Sequence, residues 1–315
     1  MKKTWILFLL ILLAVTSFAC AESFEKGQYF VECINNSKLR EEPTADSPVI
    51  RILPEKTVCI CTGEENQWFK VFTSDGVEGY IVGPSCELHE NLAFQKDLAG
   101  IRSVVEITDP EPGTVVLFGT YEQNQDLTDG NEPIEWIVLD TDETTGSVRL
   151  ISRYGLDTIP VHNLNSDVTW RDCMLRKWLN GEFVEIAFSA DEQALMMDMQ
   201  VFSDLNGAHK VSSGPDTVEK VTLLSLNEAR TLAEGSRLDI CPPTVHAVAN
   251  GCYCDPETMG CWWWLRTPGR NRVHNSYVDF DGRVSDEGYG ILSHKGTVRP
   301  VILLQMAHTE QNGEE

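Results

Sequence analysis

The run Cys261-Trp262-Trp263-Trp264-Leu265-Arg266-Thr267-Pro268-Gly269 constrains this chain more than any other segment. Successive side chains of an extended strand face opposite ways, so Trp262 and Trp264 share one face and Trp263 takes the other. One core can therefore hold two of the three rings. Trp263 needs a second partner, which can be a helix, a covering loop or a ligand. Further on, Gly296-Thr297-Val298-Arg299-Pro300 leads into the apolar run 301–304. The two segments supply the closing strands of a compact domain and carry no recognisable chemistry.

The start of the chain sets the compartment. Lys2 and Lys3 precede an apolar run from Trp5 to Val15, and Ala19-Cys20-Ala21 follows. A basic region, a short apolar stretch and small residues before a cleavage point predict a secretory signal peptide over 1–21. The apolar stretch is short for a bilayer span, and no later stretch is long enough to be one. A secreted or extracellular protein is expected; the alternative is a lipid anchor at Cys20, against which Ser17 stands where such signals usually carry Leu. Removing Lys2 and Lys3 takes the formal charge from −23 to −25. That balance argues against nucleic acid and anionic lipid as partners and favours solubility.

Ten cysteines become nine once Cys20 is removed, so at least one stays unpaired within a molecule even where the compartment oxidises the rest. Cys252, Cys254 and Cys261 lack the paired spacing and fourth ligand of a structural zinc site, and no metal or other cofactor is expected. Asp279-Phe280-Asp281-Gly282 fails the full calcium-loop spacing and reads as a tight turn. The chain has no Gly-x-Ser-x-Gly elbow, His-Glu-x-x-His helix, phosphate loop or dinucleotide fingerprint, and its histidines are scattered. No catalytic residue is expected.

Residues 27–88 predict a small all-β barrel with strands at 49–53, 57–61, 67–72 and 77–82, separated by turns at Pro54, at 63–66 and at Asp75-Gly76. A domain this small is marginal alone, and Cys33 and Cys86, near its first and last strands, are placed to staple its ends. Residues 89–112 read as a linker ending in a proline-stiffened entry at Asp109-Pro110-Glu111-Pro112. An α+β domain over 113–304 follows, then a polar tail over 305–315. Its strands are expected at 114–119, 133–140, 147–153, 221–224, 262–266, 276–280 and 298–304. One helix opens at Thr169-Trp170-Arg171-Asp172 and closes at Asn180-Gly181, and capping boxes at Ser189/Glu192 and Ser225/Glu228 start two more.

Within 27–88, Leu39-Arg40, Ser47-Pro48-Val49-Ile50, Trp68-Phe69-Lys70-Val71 and Gly79-Tyr80-Ile81 together resemble the bacterial SH3-like domain. Glu41-Glu42-Pro43 departs from that family's usual turn. The resemblance implies a spacer or a binder of peptidoglycan stem or cross-bridge peptides, with Trp68 and Tyr80 as the residues to weigh. Each offers a large apolar face with one polar atom, and the competing assignment for Trp68 is core filler.

Across 113–304, six segments together resemble a widespread uncharacterised bacterial domain of secreted and surface proteins. They are 119–123, 133–139, 175–180, 187–189, Trp262-Trp263-Trp264-Leu265-Arg266-Thr267-Pro268-Gly269 and Val298-Arg299-Pro300. The domain has no established activity. Its closing strands are similar in outline to the C-type-lectin-like and formylglycine-generating-enzyme-like fold, a comparison that fixes no function. The late cysteines do not reproduce the arrangement of the thiol and copper oxidases of that fold.

The binding reading rests on Trp263, Arg266, Asn271, Arg272, His274 and Tyr277, where an aromatic face would stack on sugar or peptide beside directional donors. In that reading Trp263→Ala weakens binding at less cost to stability than Trp262→Ala or Trp264→Ala. The function expected is a non-catalytic surface binder of peptidoglycan, surface glycan or another surface protein. The alternatives are a structural or protein-interaction module without a small-ligand site and, more remotely, a thiol- or metal-dependent enzyme. Intact mass of the exported protein tests the compartment assignment: a chain beginning at Glu22 is expected, and a diacylglyceryl Cys20 contradicts it.

Overall fold

A computed structural model describes residues 25–94, 98–235 and 240–306. The expected signal peptide, with Cys20, and the tail beyond Met306 lie outside the described residues.

The N-terminal unit is one antiparallel all-β sheet. Its strands are β1 (Tyr29–Cys33), β2 (Ser37–Arg40), β3 (Val49–Leu53), β4 (Val58–Glu65), β5 (Trp68–Phe72), β6 (Glu78–Val82) and β7 (Cys86–Glu90). Pairing runs in the order β3-β2-β6-β5-β4-β1-β7. Period-two alternation sends Val31, Leu39, Val71 and Ile81 into a shared core where all four are fully buried. The β4–β5 hairpin turns at Asn66 and Gln67, both at positive φ (52° and 68°), as a two-residue turn of matching twist requires. The turn expected at 63–66 therefore falls later, because a bulge between Cys61 and Gly63 lets β4 run on to Glu65. Cys33 and Cys86 lie directly opposite each other in the β1–β7 register, as unbonded thiols.

The described parts of the segment expected as a linker are anchored at Asn91 and Val104. Asn91 is buried and donates to Gly27 O at 2.9 Å, and Val104 is buried in the core of the larger domain. Ser103 bridges Leu117.

The larger domain opens on β8 (Val115–Tyr121), β9 (Glu132–Asp142) and β10 (Ser147–Ser152). Helices α1 (Met174–Trp178), α2 (Val184–Ala187) and α3 (Ala190–Leu195) follow. A π-turn over Leu179–Phe183 joins α1 to α2, so Asn180-Gly181 does not end the helix. Asn180 instead binds across to the next strands: its Nδ2 donates to Val221 O and its Oδ1 accepts from Lys220 N. Short strands β11 (Met199–Val201), β12 (Leu205–Asn206), β13 (Val211–Ser212), β14 (Thr217–Glu219) and β15 (Val221–Thr222) lead to α4 (Leu226–Glu234) and α5 (Val245–Ala249). The chain closes with β16 (Trp263–Pro268), β17 (His274–Val278), β18 (Val284–Gly290) and β19 (Val301–Gln305). A five-stranded sheet, β15-β19-β10-β9-β8, and a three-stranded sheet, β16-β17-β18, carry the architecture. The 279–282 segment is the β17–β18 turn, with Gly282 N donating to Asp279 O at 2.9 Å. Both capping boxes form, at Ser189/Glu192 before α3 and Ser225/Glu228 before α4.

The tryptophan triplet alternates as expected, but both of its faces are interior. Trp262 and Trp264 enter the core beneath the five-stranded sheet, their rings edge to face with centroids 4.7 Å apart. Gly296 lies flat against Trp262, where an added Cβ would fall 2.1 Å from Cζ3. Trp263 joins a second cluster with Leu226, Ala229 and Leu232 of α4, and the Arg299 guanidinium stands 5.1 Å from its ring centroid. The second partner of Trp263 is thus a helix and a buried cation. The ring has no accessible surface, which corrects its place among the binding candidates.

The Glu228 carboxylate that caps α4 also receives Arg266 Nη1 at 2.5 Å and Arg149 Nη1 at 2.7 Å. Burial pushes this carboxyl up, but Arg266, the Ser225 amide and Arg149 outweigh burial and bring it from 4.5 to about 2.

A third cluster joins the two units. Phe30 and Ile60 of the N-terminal sheet pack on Val245 and Val248 of α5 and on Cys254 and Met259, with Phe72 at the edge. Lys56 meets Glu257 at 2.9 Å, and Lys26 Nζ donates to Gln125 O at 2.7 Å.

Alanine at Trp262, Trp263 or Trp264 should each cost about 3–5 kcal/mol in denaturant melts, since each vacates a closed core; a near-neutral W263A contradicts the two-sided burial. A carboxyl lowered by folding contributes stability above its unfolded value and loses it as pH falls through the folded one. The stability gap between the wild type and Glu228→Gln should therefore narrow as pH falls from 4.5 towards 2, and a gap constant over that window contradicts the ion network.

Candidate functional site

On β5 the inward positions Phe69 and Val71 belong to the N-terminal core, so Trp68, Lys70 and Phe72 point outward. Register sets Tyr80 opposite Lys70 and Val82 opposite Trp68, and Arg40 of β2 pairs with Tyr80 from the other side. Trp68 and Tyr80 are thus diagonal neighbours on one exterior face, with Lys70 next to Trp68 along β5 and directly opposite Tyr80. Both rings are half-buried, and Trp68 belongs to no core cluster, which removes its assignment as filler. Gly79 lets β2 and β6 close up, since a Cβ there would sit 2.7 Å from Arg40 O and 2.8 Å from Leu39 Cδ1. That contact brings the Arg40 backbone alongside Tyr80. The Arg40 guanidinium is turned back onto Ser47 O. Lys70 lies 3.7 Å from Glu78, an exposed pair worth little that leaves its ammonium available. The face offers two aromatic plates and a cation.

The candidates around the tryptophan strand do not converge on one another. Trp263 is enclosed. Arg266 is engaged in the Glu228 network and with Leu223 O at 2.7 Å, at the base of a cleft of about 290 Å³ whose rim includes the exposed Phe202. Asn271 and His274 hold each other in an exposed turn, Oδ1 to Nδ1 at 2.7 Å, while Arg270 meets the other ring nitrogen at 2.6 Å. Burial and the Arg270 charge together hold the His274 imidazole below its ordinary value. Arg272 reaches back to Ser212 O at 3.4 Å. Tyr277 leans on Trp262, with centroids 5.3 Å apart, and on Tyr289 at 6.3 Å. Tyr289 is half exposed, and the sequence reading missed it because it lies on β18, outside both recognisable segments.

One buried polar constellation mimics catalytic machinery. Asp157 accepts from Tyr121 Oη at 2.7 Å and Asn250 Nδ2 at 3.0 Å, with His246 Nε2 at 3.6 Å. Burial raises its carboxyl, yet His246, Tyr121 and the Thr158 amide prevail and hold it below the ordinary carboxylate range. Gln125 Oε1 and Asn250 Nδ2 occupy the two nitrogens of His246 at 2.8 and 2.9 Å. Each member is held by the others, so the set braces the fold beside α5. No described helix is long and apolar enough to cross a membrane.

The chain matches two families. Residues 35–84 match the bacterial SH3 domain, the segment that carries Trp68 and Tyr80. Residues 145–306 match the domain of unknown function DUF6273, which covers the helices, the tryptophan strand and the closing strand β19. No curated protein and no solved structure matches the chain. The chain belongs to the DUF6273 family, its family domain preceded by a bacterial SH3 domain.

Proposed function

We propose that this protein is a non-catalytic extracellular or cell-surface binder, and that recognition lies on the Trp68–Tyr80 face of its SH3 unit rather than on the tryptophan strand. The observation that carries the reading is the outward register of Trp68 and Tyr80 on strands whose alternate positions fill the core. Two aromatic plates beside a lysine suit a short peptide or glycan bearing apolar surface and a carboxylate, the chemistry of peptidoglycan stem peptides and wall glycans. The N-terminal unit acts here as an SH3-like barrel, and the larger domain, lectin-like in outline, is the body on which it is mounted. In an oxidising exterior, Cys33 and Cys86 would close as the staple between β1 and β7.

Retention on purified cell walls tests this. The full mature chain should be retained, and Trp68→Ala and Tyr80→Ala should each weaken retention by roughly tenfold or more, as exposed aromatic anchors do at hot spots. Their melting behaviour should stay close to wild type. Wall binding that survives both changes removes this face as the site. No retention of the wild type, together with a protein partner recovered from the surface fraction, favours the protein-interaction alternative.

A further inference from the structure

We propose that Glu32, Glu87 and His89 form a binding site for one divalent transition cation of the zinc type on the β1–β7 ladder. The antiparallel register pairs Glu32 with Glu87 and Phe30 with His89, which puts all four side chains on one face, opposite the core face of Val31 and Cys33. Glu32, Glu87 and His89 each offer one ligand atom, and the three atoms lie within 4.8 Å of one another. His89 Nε2 is 2.9 Å from Glu32 Oε2.

Charge provides a second, separate reason. Like charges directly opposite on paired strands destabilise a sheet, and Glu32 faces Glu87 in just that way. The Lys56 ammonium, close enough to feel Glu32, is held by Glu257 at 2.9 Å. Among the described residues, no hydrogen bond or ion pair reaches the Glu87 carboxylate. The arrangement therefore concentrates two carboxylates on one imidazole, and a dication between them turns repulsion into ligation.

Rigidity adds to this. Phe30, beside His89 on the same face, is clamped beneath α5, and the side chains of Glu32 and His89 are 14% and 20% exposed. Imidazole with two carboxylates is a donor set for zinc or a similar borderline cation, whereas calcium demands more oxygens. Three protein ligands leave a fourth tetrahedral position for water or an incoming carboxylate. The site lies apart from Trp68 and Tyr80, so it stands or falls separately from the wall-binding reading.

The test uses the full mature chain, reduced and stripped with chelator, titrated with Co²⁺ and then Zn²⁺ alone. One equivalent of Co²⁺ should bind with no thiolate-to-cobalt charge-transfer band, and Zn²⁺ should displace it. His89→Gln and the exposed Glu87→Gln should each weaken Zn²⁺ binding at least tenfold. Glu64→Gln, which removes an exposed carboxylate of β4 outside the triad, should leave it unchanged. Zn²⁺ should also raise the melting temperature of the wild type and not of Glu87→Gln, since a ligand bound only by the folded state stabilises it. Thiolate bands, affinity unaltered in Glu87→Gln, or an equal loss in Glu64→Gln would each overturn the site.

Discussion

Burial of β16 on both faces is the constraint on which the larger domain depends. Trp262 and Trp264 close one cluster under the five-stranded sheet, and Trp263 closes another under α4. The strand is therefore a wall shared by two cores. Arg299 makes this possible from β19's approach: it stacks on Trp263 and donates Nε–H to Ser152 O at 2.8 Å, so its charge is buried with an aromatic face and a carbonyl as partners. The two sequence segments that stand out most are thus explained by each other.

The seam at Phe30, Ile60, Val245 and Val248 does for the whole chain what β16 does for one domain. A sheet of this size buries too little apolar surface to be comfortable alone, and α5 covers part of its outer face. Covering the Phe30–Ile60–Phe72 end leaves the Trp68–Tyr80 end of that same face outward. Orientation of the candidate binding face is then a consequence of packing.

Much of this was legible in the residues. The β3 bounds, both capping boxes and the strand alternation of the triplet follow from local chemistry that tertiary context did not override. The helix stop at Asn180-Gly181 misled because Asn180 serves a distant strand, where its amide bonds to the backbone at Lys220 and Val221. The anchoring of the expected linker at Val104 could not be foreseen, because one buried valine carries no periodicity. Trp263 could not be placed by period alone: alternation says which rings share a face and says nothing of what covers the other. The Glu32–Glu87–His89 cluster has no sequence spacing to reveal it, since strand register assembles it from the first and last strands of the N-terminal unit, which pair at one edge of the sheet.

Recognition on the SH3 face, as proposed, leaves the tryptophan strand to structure. Hydroxyl-radical footprinting of the full chain with and without soluble muropeptides tests that division most directly. Ligand-dependent protection is expected at Trp68 and Tyr80, with Trp262, Trp263 and Trp264 unreactive throughout. Protection confined to the 266–277 segment or to Tyr289, with Trp68 and Tyr80 unchanged, would contradict it.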